Sequence, residues 1–268
     1  MSISYLQLVI GFSLGALIAY AAWRVKALSK SGAFAATWFG GLIFGLGGLS
    51  WASLLVTFFI SSSALSLNHR KANLDDKLAK SSQRDWSQVF ANGGIGTILV
   101  IIQVFFPEQF WLWIAYAGAI ATVNADTWAT ELGILSRKKP RLITTGQIVE
   151  PGISGGITVV GTLATLAGAF VIALVTGLFT PPIMSSIIII SVAGLSGSLF
   201  DSFLGATVQA LYECPHCLTE TEHYPLHSCG QKTLLKSGWF WMNNDLVNFI
   251  SSIFGAVVAV GLWQFIFN

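Results

Sequence analysis

The sequence predicts an all-α fold: a polytopic membrane bundle of about eight transmembrane helices, with the N- and C-termini outside. Three observations predict it. The 268 residues are 54% hydrophobic and only 10% charged, whereas soluble domains average about 25% charged residues. The mean hydropathy is +0.70. All 14 Lys and Arg residues fall between apolar runs, and only in alternate loops. One bundle accounts for the whole length as a single membrane domain over 1–268 and leaves no soluble domain beside it.

The apolar runs lie at about 4–23, 33–49, 51–66, 89–106, 110–129, 156–178, 183–208 and 245–266. No basic segment precedes the first run, and it exceeds the apolar core of a signal peptide, so it reads as a span. Runs two and three are short and Gly-rich. They meet at Gly47-Gly48-Leu49-Ser50 as a tight hairpin, a re-entrant pair or two ordinary spans. Pro107 marks the next outer turn, and Pro181 and Pro182 the one after it. No repeat of 20–50 residues is visible, although runs five and seven both end in an acid-containing helix, NADT and LFDS.

Charge placement tests the count. Arg24, Lys26 and Lys30 follow run one, and Arg70, Lys71, Lys77, Lys80 and Arg84 follow run three. Arg137, Lys138, Lys139 and Arg141 follow run five, and Lys232 and Lys236 follow run seven. The positive-inside rule puts these four loops in the cytoplasm. The short outer turns carry only Glu108. The net charge of +2 selects no partner. The lipid bilayer is the expected surroundings, and nucleic acid is not expected.

An unpaired carboxylate in a membrane helix costs at least about 3 kcal/mol. Asp126, Asp201 and Asp245 all fall toward the cytoplasmic ends of their runs. Glu131 lies just beyond Asp126. Asn244 and Asn248 share one helical face beside Asp245, and Asp126 and Thr130 have the same spacing. Hard oxygen ligands of this kind suit Mg²⁺ with substrate phosphates, which makes Asp126, Asp201 and Asp245 candidate ligands. The plainer reading is structural ion pairing with cations of the loops.

The loop after run five is the densest polar stretch, NADTWATELGILSRKKPRLITTGQIVEPGISGG over 124–156. Lys138, Arg141, Thr144 and Thr145 are followed by Ser154-Gly155-Gly156 at a helix start, where free N–H groups can receive an anion. The same cations also satisfy the positive-inside rule or bind lipid headgroups. There is no GxxxxGK phosphate loop. A second polar stretch precedes run four, Arg84-Asp85-Trp86, then Gln88 and Asn92-Gly93-Gly94, where Arg84 is either a phosphate contact or one more positive-inside residue.

The three cysteines fall between 214 and 229, within the cytoplasmic loop 209–243. Cys214, Cys217, His227 and Cys229 form C-x2-C-x9-H-x-C, a donor set for a closed structural Zn²⁺ site. His216 and His223 are possible substitutes, and three free thiols are the alternative.

The pieces RDWSQVFANGG, NADTWATELG, PRLITTGQIVEPGISGG, GSLFDSFLGATVQ and NNDLVNFIS resemble, in this order, the integral membrane family first catalogued as domain of unknown function ninety-two. The resemblance covers nearly the whole chain. That family includes phytyl-phosphate kinases of the vitamin E (tocopherol) pathway and is distantly similar to the CTP-using phytol and dolichol kinases. The resemblance implies CTP-dependent phosphoryl transfer to an isoprenyl monophosphate, giving the diphosphate, with Mg²⁺ as cofactor. It implies a polar catalytic core of Asp126, Glu131, Asp201, Asn244, Asp245 and Asn248. Phosphate contacts would come from Arg84, Asn92, Lys138, Arg141, Thr144, Thr145, Ser154, Gly155 and Gly156. The setting would be a bacterial cytoplasmic or thylakoid membrane with the site facing the cytoplasm. A prenyl-alcohol kinase, a CTP-dependent nucleotidyltransferase and a transporter remain as alternatives. The resemblance leaves tail length, nucleotide and oligomeric state open.

Overall fold

The computed structural model describes residues 4–267 except 72–82, with the side chains of 67–71 also outside it. The expected cations Lys77 and Lys80, and the side chains of Arg70 and Lys71, therefore lie outside what is described. Seven helices follow in order: α1 Tyr5–Arg24, α2 Lys30–Lys71, α3 Trp86–Phe105, α4 Trp111–Gly133, α5 Val159–Gly177, α6 Ile183–Thr207 and α7 Asn244–Phe267. Five short strands sit in the loops: β1 Arg141–Leu142, β2 Gly156–Ile157, β3 Leu211–Cys214, β4 Thr219–Thr221 and β5 Leu234–Ser237.

The long helix α2 holds two of the eight apolar runs. At Gly48 the backbone takes φ 75° and ψ −160°, a conformation open to glycine but strained for residues with a Cβ. The chain reverses there. Ala33, Ala36 and Phe59 all pack on one cluster of Ala22, Ala27 and Leu28, whereas a straight helix would hold Ala33 and Phe59 about 39 Å apart. Residues 30–47 and 49–71 are thus a helical hairpin that turns at Gly47-Gly48-Leu49-Ser50.

Among the described residues, six helices are long and apolar enough to cross a membrane: α1, α2, α3, α5, α6 and α7. The seventh, α4, carries Asn124, Asp126, Thr127, Thr130 and Glu131, which lower its hydropathy. It is also the most enclosed. Every residue from Leu112 to Ala125 is buried, and α2, α3, α5, α6 and α7 all pack against it. A helix buried on all sides belongs at the centre of a bundle.

Small residues set the close contacts, as expected where lipid gives no hydrophobic drive between helices. Gly11 and Gly15 of α1 meet Gly41 and Gly45 of α2, and Gln7 Nε2 donates to the Phe44 carbonyl at 3.2 Å. On α4, a Cβ added at Gly197 of α6 or Gly255 of α7 would overlap Thr122. Both helices approach α4 at that residue.

These contacts fix which ends lie together. Trp113 Nε1 donates to Thr180 Oγ1 at 2.7 Å, and Phe110 packs on Trp263 of α7. Trp51, just past Gly48, stacks on Tyr116. The start of α1, the Gly48 reversal, the turns after α3 and α5 and the end of α7 share one end of the bundle. The strands, the described Lys and Arg side chains and the start of α3 share the other.

Two expectations follow. Gly255→Val should destabilise the detergent-solubilised protein by about 1–3 kcal/mol through overpacking against Thr122. Gly261→Ala, whose added Cβ meets nothing within 4 Å, should stay within about 0.5 kcal/mol. Thermal unfolding of both variants checks this. In a bacterial host, alkaline phosphatase fused after Asn268 should be active and one fused after Lys138 inactive. The reverse pattern would invert the orientation.

Candidate functional site at the charged end

The contact of α4, α6 and α7 at Thr122 positions the acids. α4 and α6 run parallel here, with Gly194 against Ala121 and Gly197 against Thr122. Asp126 is four residues past Thr122 and Asp201 four past Gly197. One helical turn, about 6 Å, carries each toward the charged end and back to nearly the same face. Asp126 and Asp201 therefore converge on the adjoining faces of α4 and α6. Both are half-buried, and the Asp201 Oδ2 is fully buried.

α7 runs the other way. Ser251, buried, and Asn248 precede Gly255 by about one and two turns on the face toward α4. Asp245 lies in the first turn and meets the start of α3. There Ser87 Oγ is 2.6 Å from Asp245 Oδ2 and 2.9 Å from Asp85 Oδ1. Asp85 caps α3, accepting from the N–H groups of Ser87 and Gln88 at 3.0 and 3.1 Å. A stack of Phe90 on Phe249 continues the α3–α7 contact. Asn243 caps α7 through the Leu246 N–H at 2.9 Å, with Asn244 half-buried beside it. Sequence reasoning names Asp85 and Gln88 within the polar stretch before run four without giving them a role, and it passes over Ser87. The D-x-x-Q capping signature at Asp85–Gln88 is the signal that could have supplied that role.

Arg84 is fixed by its backbone, whose N–H donates to the Ala27 carbonyl at 3.1 Å and whose carbonyl accepts from Ser29 N at 3.0 Å. Its guanidinium lies 5.6 Å from the Phe58 ring centroid. Asn92 is half-buried on α3. Glu131 sits apart from Asp201. It is nine residues from Thr122, about half a turn round the helix axis, and Ser66 of α2 donates to it. Asn124 is wholly buried, accepting from Ser61 Oγ at 2.9 Å and donating to the Gly168 carbonyl at 2.7 Å, so it joins α2, α4 and α5.

The loop 134–158 folds back on itself through the antiparallel pair β1 and β2. Arg141 donates to the Gly146 carbonyl at 2.8 Å, and the exposed Lys139 and Glu150 pair at 2.6 Å. Lys138, Thr144 and Thr145 are exposed. The Ser154–Gly156 turn is docked. Gly155 has φ 80°, and a Cβ there would lie 2.5 Å from Ala206 of α6. Ser154 accepts from Gln209 Nε2 at 2.9 Å and donates to Glu222, which also accepts from Gln209 at 3.0 Å. The Gly156 N–H is used by the Ile153 carbonyl, and Thr158 caps α5. The turn thus presses on α6 one helical turn beyond Asp201.

The loop after α6 is a three-stranded sheet in the order β4-β3-β5. Lys236 on β5 reaches Glu220 at 2.6 Å and Glu213 at 3.3 Å, and these hydrogen bonds raise its pKa. The Cys214, Cys217, His227 and Cys229 ligand atoms all lie within 4.8 Å of one another. His216 and His223 stand outside that group.

The family model described as integral membrane protein DUF92 matches residues 13–256. Protein PGR of Arabidopsis thaliana is 33% identical over 91% of this chain and 92% of its own length. Uncharacterized membrane protein MJ0933 of Methanocaldococcus jannaschii is also 33% identical, over 88% of this chain and 86% of its own. Protein VTE6, chloroplastic, of Arabidopsis thaliana is 26% identical over 90% of this chain and 67% of its own length. No solved structure matches. The family match takes in all or part of every helix, strand and acid described above, and the chain belongs to the DUF92 family of integral membrane proteins.

Proposed function

We propose that the protein is a prenyl-phosphate kinase, transferring a phosphoryl group from a nucleoside triphosphate, CTP in first place, to a prenyl monophosphate at the charged end of the bundle. The observation that carries this reading is the register of Thr122 with Gly197, which brings Asp126 and Asp201 to adjoining faces. Asp245 is at the same end. The likeness to Protein VTE6 and to the phytyl-phosphate kinases of the family supports the same chemistry. The membrane would be a bacterial cytoplasmic or thylakoid membrane, with the site toward the cytoplasm.

The attacking group is a phosphate oxygen, already ionised near neutral pH. It needs no strong base. The obstacle is repulsion between two anions, so catalysis is positioning and charge neutralisation. Asp126, Asp201 and Asp245 would hold Mg²⁺, which supplies charge neutralisation at the phosphates. Arg84, Lys138 and Arg141 would add positive charge, with Asn92, Thr144 and Thr145 as hydrogen-bonding groups. Asn244 and Asn248 would add hydrogen-bonding groups beside Asp245, and Glu131 holds α2 to α4 through Ser66. Ser154, Gly155 and Gly156 shape the wall nearest Asp201.

The prenyl chain has a place beside these groups. Ser31, Phe34, Ala35, Trp38, Phe39 and Trp86 line an open apolar groove of about 680 Å³ on α2 and α3. Trp86 adjoins Ser87, whose hydroxyl lies between Asp85 and Asp245. A tail in this groove would remain level with the lipid while its phosphate meets the charged end.

The test is purified protein with labelled CTP or ATP, Mg²⁺, phytol and phytyl phosphate. The expected products are the diphosphate and CDP, from phytyl phosphate and not from phytol. Efficient use of phytol alone would make the protein an alcohol kinase, and released pyrophosphate would make it a nucleotidyltransferase. Absence of any turnover, with substrate counterflow in vesicles, would favour a transporter. Asp126→Asn, Asp201→Asn and Asp245→Asn should each lower kcat by about 100-fold or more while the protein still inserts. Near-normal rates in the last two would remove their assigned role. Lys138→Gln and Arg141→Gln should raise one KM, and which one rises identifies the phosphate each contacts.

A further inference from the structure

We infer that Cys214, Cys217, His227 and Cys229 bind one Zn²⁺ in a closed tetrahedral site, and that this centre fixes the Ser154–Gly155 turn against α6.

The geometry fits the ion. Zn–S bonds of about 2.3 Å and Zn–N bonds of about 2.0–2.1 Å place tetrahedral ligand atoms about 3.6–3.8 Å apart. Here Cys214 Sγ and Cys229 Sγ are 3.5 Å apart, His227 Nδ1 and Cys229 Sγ are 3.1 Å apart, and all four lie within 4.8 Å. Thiolates with one imidazole form a soft set that selects zinc over magnesium or calcium. All three cysteines are free, and an S–S bond would need about 2.05 Å.

The sheet also needs a staple. Among residues 211–237 only Tyr212, Cys214, Thr221 and Thr233 are buried, and the Leu234 and Leu235 side chains face outward. A unit with so little apolar interior does not hold its shape by packing, and a structural metal supplies the missing stability. Four protein ligands leave no open position for substrate, so the role is structural.

The consequence reaches the helices. Glu222 directly follows β4 and Gln209 precedes β3, and together they hold Ser154. Its neighbour Gly155 rests on Ala206, one turn from Asp201. The order of dependence runs from metal to sheet, from sheet to Glu222 and Gln209, and from there to the turn on α6. Nothing in it requires the kinase reading.

The experiment uses full-length protein purified in detergent without chelator. Elemental analysis should give about one zinc per chain. Cys217→Ser and Cys229→Ser should each reduce it about tenfold, while His216→Ala and His223→Ala should retain it. Exchange into Co²⁺ should give the thiolate-to-cobalt and tetrahedral d–d absorption bands. Limited proteolysis reads the second half. Cleavage within 138–156 should rise about tenfold after zinc removal, and equally in Glu222→Ala, which should keep its zinc. Absence of zinc with three freely titrating thiols, a Cys214–Cys229 disulfide by mass spectrometry, or full zinc in Cys217→Ser would each overturn the site. Unchanged cleavage in Glu222→Ala would overturn the coupling to the turn.

Discussion

The close approach of α6 and α7 to α4 at Thr122 is the constraint on which the rest depends. Helices in lipid gain nothing from hiding apolar surface from each other, so they meet where small residues let backbones come near. Gly197 and Gly255 provide that space on both sides of Thr122. Thr122 satisfies its own hydroxyl by donating to the Gly118 carbonyl at 3.0 Å, so it can serve as a spacer without an orphaned polar atom. A larger residue at Gly197 would push α6 outward and separate Asp201 from Asp126, and one at Gly255 would push away α7 with Asp245. Packing in the apolar half of α4 thereby sets geometry in its polar half.

The centre of the bundle also explains how α4 tolerates its polar residues. A carboxylate facing lipid is costly, but one facing neighbouring helices can find donors or water. α4 is enclosed by five helices, and its polarity is graded. From Leu112 to Ala125 everything is buried, and the polar atoms there are matched within the protein, as at Asn124 with Ser61 and Gly168. From Asp126 onward the residues are half-buried or exposed, at the end where the charged loops gather.

Much of this was legible in the sequence, for reasons that differ by element. The apolar runs and their turns were readable because bilayer length and prolines are local signals. The Cys-His group was readable because the ligands are close in sequence, and the structure assembles the same four. Boundaries shifted where a side chain intervenes: α3 starts at Trp86 because Asp85 caps it, and α5 starts at Val159 because residues 156–157 pair as β2 with β1. The central position of α4 was not legible, because a helix enclosed on all sides has no one-sided apolar stripe to read. Nor were the Ser87–Asp245 and Ser154–Glu222 contacts, which join residues 158 and 68 apart in the chain.

The charged end divides into parts with different freedom. Ser154, Gly155 and Gly156 match the pattern of an anion-receiving turn, yet their hydroxyl, Cβ space and N–H are taken by Gln209 and Glu222, Ala206 and Ile153. A donor already bound inside the protein gains little by switching to a phosphate, since the exchange leaves its old partner unsatisfied. The turn is better suited to shaping a wall than to holding a substrate. Lys138, Thr144 and Thr145 are exposed beside it and can reorient at low cost. In the proposed kinase site an exposed cation such as Lys138 would suit capture of an anion from solution, while the acids on α4, α6 and α7 would suit fixed placement of a divalent ion. The two groups are set by different scaffolds, one by the β1–β2 loop and one by the helix contacts at Thr122. They touch where Gly155 rests on Ala206 of α6, so the turn is the place where a change in one scaffold can reach the other.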